Sequence, residues 1–143
     1  MTTHVGPMAK SWYQAKDLDT GYVKTLGYLP AAHGLTIAQN DIIQMVKVPV
    51  GAVVVDGALL TGAWTTSVTA DVGDGDTEDL YISAADVSAA SCTNFFESVG
   101  LAGVPKTYSA EDTIDVKLEG ANPTDAIAMT LIVGYLTGFD TTP

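Results

Sequence analysis

The sequence contains no arginine, one cysteine (Cys92) and two histidines (His4 and His33) among its 143 residues. Arginine is the residue best suited to bidentate contacts with phosphates and base edges. Six lysines on a chain of net charge −11 do not replace it, because the field of such a chain repels nucleic acids and anionic membranes. We therefore expect neither a nucleic acid nor a membrane as a partner.

The scarcity of cysteine and histidine also limits the possible chemistry. One cysteine excludes an intrachain disulfide, which is typical of a protein made in a reducing cytoplasm. We expect Cys92 to be a buried or partly buried apolar residue and the two histidines to be solvated or packed against the chain. No Gly-x-Ser-x-Gly or His-Glu-x-x-His motif occurs. The sequence thus predicts a protein that is not an enzyme and that uses no metal and no cofactor.

Charged residues are few for a soluble chain. They make up 16% of the sequence, whereas hydrophobic residues reach 47% and the mean hydropathy is +0.24. Eighteen threonines, eighteen alanines and fourteen glycines fill the difference, and small or β-branched residues favour strands and tight turns. A soluble monomer usually displays more charge than this. We expect part of the surface to be buried between subunits.

The charges are divided unequally along the chain. Residues 1–50 have four lysines and three aspartates, a net charge of +1, and residues 51–143 have a net charge of −12. Periodic strand patterns begin near residue 35. We therefore predict an extended N-terminal arm over residues 1–34 and a β-sandwich domain over residues 35–143.

The predicted arm is rich in aromatic side chains and contains glycine and proline too densely for a long helix. Its first residues lack the pattern of a secretory signal peptide, and we expect a short strand near residues 22–26. Tryptophan and tyrosine supply much of the energy of protein contacts. We predict that the arm anchors the chain to a larger assembly. The alternative is that Trp12 and Tyr13 cover the domain's own core. The predicted anchoring residues are Trp12, Tyr13, Tyr22 and Tyr28.

The remainder of the chain reads as consecutive strands. Residues 41–48 are apolar on both faces, which predicts a central strand, and residues 64–72 and 114–119 alternate with the period of two that strands require. Residues 83–108 are irregular, with a brief helix expected at 84–90. Seven or eight strands without long helices predict an all-β fold, an antiparallel β-sandwich of jelly-roll type.

The last predicted strand, residues 126–136, is apolar on both faces. One face carries Ile127, Met129, Leu131, Val133 and Tyr135, which suits the core. The second face is too apolar for open water, so we expect a partner subunit or the arm to cover it. The predicted subunit-interface residues on that face are Ala128, Ile132 and Leu136.

One acidic segment, Asp71–Asp79, contains five carboxylates on a glycine-broken loop. Carboxylates are ligands of Ca²⁺, but the spacing does not match the twelve-residue calcium loop, because Asp79 occupies the position that glycine must take. Asp74-Gly75 is a typical tight-turn pair. We expect a solvated hairpin loop without a metal.

Three parts of the sequence resemble a known family. A strand leads into Lys47-Val-Pro-Val-Gly-Ala-Val-Val54, and the segment Thr69–Asp76 runs into Asp79-Leu-Tyr-Ile82. This order, closed by a strand like Leu131–Tyr135, is similar to the head decoration (capsid cement) proteins of tailed bacteriophages. The resemblance covers residues 35–137, and the predicted arm matches no motif of the family.

The resemblance implies a jelly-roll sandwich that forms a homotrimer on the outside of a phage capsid. There it would bind the major capsid protein at junctions between capsomers, after synthesis in the host cytoplasm. Two alternatives remain open at this point. One is a tail- or fibre-associated virion protein, and the other is a calcium-dependent carbohydrate-binding module, which a calcium-dependent rise in melting temperature would reveal.

Overall fold

The computed structural model describes residues 1–5, 21–31, 34–64, 67–95, 103–123 and 127–137. Trp12, Tyr13 and His33 lie outside these residues. The elements of the described chain are ten strands: β1 Thr3–Val5, β2 Gly21–Leu29, β3 Ile42–Val48, β4 Val53–Thr61, β5 Thr69–Gly73, β6 Ile82–Asp86, β7 Ser91–Asn94, β8 Lys106–Thr107, β9 Asp112–Glu119 and β10 Met129–Thr137.

The strands form two sheets that pack together as a β-sandwich. The first sheet has the order β1-β3-β9-β5-β6, and the second has the order β2-β10-β4-β7, with β8 paired to β4. Neighbouring strands are antiparallel except for β1 and β3. The predicted all-β sandwich is confirmed, as is the interior position of β3, and jelly-roll connectivity stays a prediction.

The core lies between the sheets and follows the predicted alternation. Strand β10 buries Met129, Leu131, Val133 and Tyr135, as the sequence predicted. Within the core, the rings of the fully buried Tyr81 and Phe95 stack with their centroids 4.5 Å apart.

The helix predicted at residues 84–90 is wrong, and so is the irregular assignment around it. Strands β6 and β7 occupy Ile82–Asp86 and Ser91–Asn94. Ala84 has a positive φ of 53°, and the register between β5 and β6 shifts opposite it. A residue in this conformation interrupts the alternation of inward and outward side chains, so the sequence pattern does not indicate a strand here. The strand forms because it pairs with β5.

The described parts of residues 1–34 belong to the sandwich. Strand β2 pairs with β10 along all nine of its residues, which confirms and extends the strand expected near 22–26. Strand β1 pairs with β3. The boundary between arm and domain at residue 34 stays a prediction.

Buried Asp41 fastens β1 to the first sheet. Its carboxylate accepts hydrogen bonds from Thr2 N (2.9 Å) and Ala38 N (3.0 Å), and its Oδ2 lies 2.7 Å from His4 Nε2. Burial alone would raise the pKa of Asp41, but these hydrogen bonds outweigh burial and hold the pKa below its ordinary value. Strand β1 is thus held by the Asp41 side chain as well as by its pairing with β3.

Within the described residues, no helix has the length and hydropathy that crossing a bilayer requires.

Candidate functional site

Strand β2 divides its side chains between the core and the outside of the second sheet. Val23 and Leu29 are buried, whereas Tyr22, Leu26 and Tyr28 are 46%, 47% and 48% exposed. Successive side chains of a strand point to opposite faces, so the three exposed side chains form one row. Large apolar side chains in such a row are unusual on a surface that only water contacts.

The neighbouring strands extend this row into a continuous surface. On β10, Ile132 is the Cα partner of Leu26, and Leu136 is the partner of Tyr22. On β4 and β7, the exposed Leu60 pairs with the exposed Cys92. We call this surface the outer face, and it consists of Tyr22, Lys24, Leu26, Tyr28, Asp56, Ala58, Leu60, Cys92, Asn94, Thr130, Ile132, Gly134 and Leu136.

The outer face carries almost no charge. Its charged side chains are Lys24 and Asp56, and their opposite charges cancel. By contrast, the first sheet and its loops carry eleven acidic residues, from Asp41 through the segment 71–79 to Glu119, against Lys47 and Lys117. In the described part of the chain, the sandwich therefore has one acidic side and one neutral, apolar side.

Tyr22 lies across Gly134 on this face. Its hydroxyl donates to Asp56 Oδ1 at 2.9 Å and Oδ2 at 3.1 Å. Burial raises the pKa of Tyr22, and the hydrogen bond to Asp56 raises it further. A Cβ on Gly134 would collide with the Tyr22 hydroxyl and with Asp56 Oδ1. Glycine at this position therefore allows the tyrosine ring to lie flat across β10 and fixes the shape of the face.

Replacing Gly134 with alanine should displace the Tyr22 hydroxyl from Asp56 and lower the free energy of unfolding by about 1 kcal/mol, because this hydrogen bond is lost. Chemical denaturation measures the change. Gly62→Ala is the matched control, since a Cβ there meets nothing within 4 Å, and it should change stability by less than about 0.5 kcal/mol. Equal stability of the two variants would contradict this account of Gly134.

The structure brings together residues that the sequence assigned to separate roles. Tyr22 and Tyr28, predicted as anchors, share the outer face with Ile132 and Leu136, predicted as a subunit interface. Ala128 is half-buried just before β10, where its carbonyl accepts from Trp64 Nε1 at 3.2 Å. What each of these residues contacts in an assembly stays a prediction.

Sequence reasoning missed two large apolar members of the face, Leu26 and Leu60, and misjudged the exposure of Cys92. The signal for Leu26 was the alternation of Tyr22, Lys24, Leu26 and Tyr28 with inward residues, but the charge of Lys24 interrupts the apolar row in the sequence. Cys92 was expected to be buried or partly buried, and this is wrong, because β7 is an edge strand of the second sheet and Cys92 points outward.

The acidic segment lies on the other side of the sandwich, and its predicted solvation is wrong for Asp74. This side chain is 2% exposed, and its Oδ1 accepts from the amides of Asp76 (3.1 Å) and Thr77 (2.9 Å). Its Oδ2 accepts from the Tyr108 hydroxyl at 3.1 Å and lies 3.5 Å from Lys106 Nζ. Asp74 is therefore the anchor of the loop, whereas residues 75–79 are exposed as expected.

Asp71 is also buried, and it accepts a short hydrogen bond from Ala84 N at 2.6 Å. Burial raises its pKa despite this hydrogen bond, and the nearby carboxylates of Glu119 and Asp79 raise it further. Among the described residues, no group of three or more histidine, cysteine or acidic side chains is placed to hold a metal ion.

No model of a known protein family matches the sequence, and no curated protein sequence matches it. Solved structures with the same fold do exist. A chain in "Capsid of Ralstonia phage GP4" is 15% identical with a TM-score of 0.76, and the match covers 97% of this chain and 100% of that one. A chain in "Cyanophage Pam1 capsid asymmetric unit" is 19% identical with a TM-score of 0.66, covering 89% and 92%. A chain in "Acidic stable capsid structure of Helicobacter pylori bacteriophage KHP30" is 15% identical with a TM-score of 0.54, covering 84% and 94%.

Proposed function

We propose that this protein is a virion structural component that binds the outside of a bacteriophage capsid and joins neighbouring capsid subunits. The observation that carries the proposal is the agreement in fold, over nearly the whole length of both chains, with three chains from phage capsid structures. The sequence motifs at residues 47–54, 69–82 and 131–135 support the same family of decoration proteins independently of the fold.

The outer face supplies a physical basis for attachment. Burying a large apolar side chain completely is worth about 1.5–3 kcal/mol, and this face exposes several of them on a rigid sheet. Its described residues carry no net charge, so a partner approaches it without the repulsion that the acidic side produces. The acidic side then faces solvent on the assembled particle.

The proposed partners are the major capsid protein and sister copies of this chain in a homotrimer. Trp12 and Tyr13, outside the described residues, would add contacts from the segment that joins β1 to β2. Three linked copies bind with avidity, because each later contact is effectively intramolecular. Modest contacts by each subunit therefore suffice to link capsid subunits that would otherwise separate. A cement of this kind needs no cofactor.

Cys92 provides a natural probe of this proposal, because it is the only cysteine and lies on the outer face. The protein should co-sediment with undecorated phage heads, and the bound protein should react with a maleimide at least about tenfold more slowly than free protein, since thiol modification requires access. The control is a Cys92→Ser, Asp79→Cys variant, whose thiol on the acidic side should react equally fast when free and when bound.

Co-sedimentation and labelling test different parts of the proposal. Failure to bind heads, or binding to isolated tails instead, would exclude the capsid role. Binding with unchanged Cys92 reactivity and a protected Asp79→Cys thiol would keep the role and assign the contact to the opposite sheet.

A further inference from the structure

Asp115 is a buried carboxylate with an unsatisfied oxygen. It lies on β9, where it is paired with Gly73 of β5 and with Gln44 of β3. Its neighbours Ile114 and Val116 point into the core, so Asp115 points to the opposite side of the first sheet. It is nevertheless 8% exposed, and Oδ1 has no hydrogen-bond partner among the described residues.

The loop formed by residues 74–79 covers this side chain. A cavity of about 20 Å³ separates the loop from β9, which is room for a single water molecule at most. Residues of the loop, of β9 and of β3 line it, namely Ile42, Asp74, Gly75, Glu78, Asp115 and Lys117.

The cation at this cavity is engaged by other carboxylates. Lys117 Nζ lies 2.6 Å from Glu78 Oε2 and 2.9 Å from Glu119 Oε1. Lys106 reaches the far side of the site at Asp74, where both carboxylate oxygens already accept hydrogen bonds. Asp115 therefore has no ion pair with any residue that the structure describes.

The charged groups around Asp115 come from two elements. The loop contributes Asp74 and Glu78, and β9 itself contributes Asp112 and Lys117. Strand β3 contributes the uncharged Ile42 and Gln44. Thr113 donates to the Asp115 carboxylate, but no described group donates to Oδ1, so an ionised Asp115 adds an unsatisfied acceptor to this buried site.

We propose that Asp115 is a proton-operated latch, which holds loop 74–79 closed over β9 when it is protonated and loosens the loop when it ionises. A protonated carboxyl group brings an O–H donor to a cavity whose other acidic groups accept. Ionisation removes that donor and places a second buried negative charge beside Asp74, which opening of the loop relieves by hydration. This proposal does not depend on capsid binding.

The electrostatics agree with this geometry. The pKa of Asp115 is raised to about 7, chiefly by burial. A hydrogen bond from the Thr113 side chain lowers it, and the charges of Asp112 and Asp74 raise it. The closed state therefore holds the proton more tightly than the open state does. Closure is strongest at acid pH, weakens as the pH rises from the ordinary carboxyl pKa toward 7, and is constant above that.

Hydrogen exchange of the loop amides tests the latch in the full-length protein. Protection factors for Asp74, Asp76 and Thr77, corrected for intrinsic exchange, should fall on the order of tenfold to hundredfold between pH 5 and pH 8. Asp115→Asn carries a permanent donor of the same shape and should remove most of this difference. Asp79→Asn, an exposed carboxylate in the same loop, should leave it unchanged.

Two results would overturn the latch. One is a fall in protection that persists in Asp115→Asn, which would assign the effect to another group such as Asp71. The other is a carbon-13 titration of the Asp115 carboxyl in the unaltered protein with a pKa near the ordinary value of about 4. The titration decides the matter even if Asp115→Asn does not fold.

Discussion

A variant with aspartate at both Leu26 and Ile132 should fold normally and fail to bind capsids. The two residues are Cα partners near the middle of the outer face. In the free protein both carboxylates reach water but lie directly opposite each other on paired strands and repel, so the free energy of unfolding should fall by about 1–2 kcal/mol. In the proposed complex both carboxylates are buried without a cation, which costs about 3 kcal/mol or more and lowers affinity by more than about a hundredfold.

Sedimentation of the variant with undecorated heads measures the effect, and circular dichroism with thermal melting verifies the fold. Val50→Asp is the matched control, because Val50 is 67% exposed in the turn after β3, outside the outer face, and its variant should bind as the unaltered protein does. If the double variant still saturates the heads at the same concentration, the outer face is not the docking surface.

Replacing Asp74 with alanine should cause the largest loss of stability of any substitution at the acidic loop. The side chain is buried and accepts from two loop amides and from Tyr108, whose hydroxyl also lies 2.7 Å from that of Tyr81. The substitution leaves these donors without their acceptor in an enclosed site. We expect the free energy of unfolding to fall by about 3–5 kcal/mol.

Asp76→Ala tests whether this loss is specific. Asp76 is exposed in the same loop, and its backbone amide still donates to Asp74 in the variant, so the change should remain within about 0.5 kcal/mol. Urea denaturation of both variants at neutral pH provides the comparison. A loss below about 1 kcal/mol for Asp74→Ala would mean that the loop is fastened by its exposed contacts, such as the ion pair of Glu78 and Lys117.

The sequence predicted correctly those strands in which the alternation of apolar and polar residues within the strand itself identifies the buried face. Strand β10 shows its core face as Met129, Leu131, Val133 and Tyr135, because side chains alternate with a period of two and one face must leave water. The same argument identified Val68, Ala70 and Val72 before and within β5. No information from elsewhere in the chain is needed for such an assignment.

The parts that the sequence missed depend on contacts between distant residues. Strand β6 contains Ala84 with a positive φ, which breaks the alternation, and pairing with β5 establishes the strand. Asp74 resembles an ordinary turn residue in sequence, yet Tyr108, 34 positions away, contributes to its burial. The unpaired oxygen of Asp115 exists because the loop folds over β9.

The sequence alone determined the all-β class, the excess of negative charge after residue 50, and the presence of apolar side chains that the core does not use. Tertiary structure alone decided that Tyr22, Leu26 and Tyr28 of β2 lie beside Ile132 and Leu136 of β10 on one face without net charge. The reason is physical: alternation within a strand is local, whereas the pairing and register of strands more than a hundred residues apart follow from the packing of the whole sandwich.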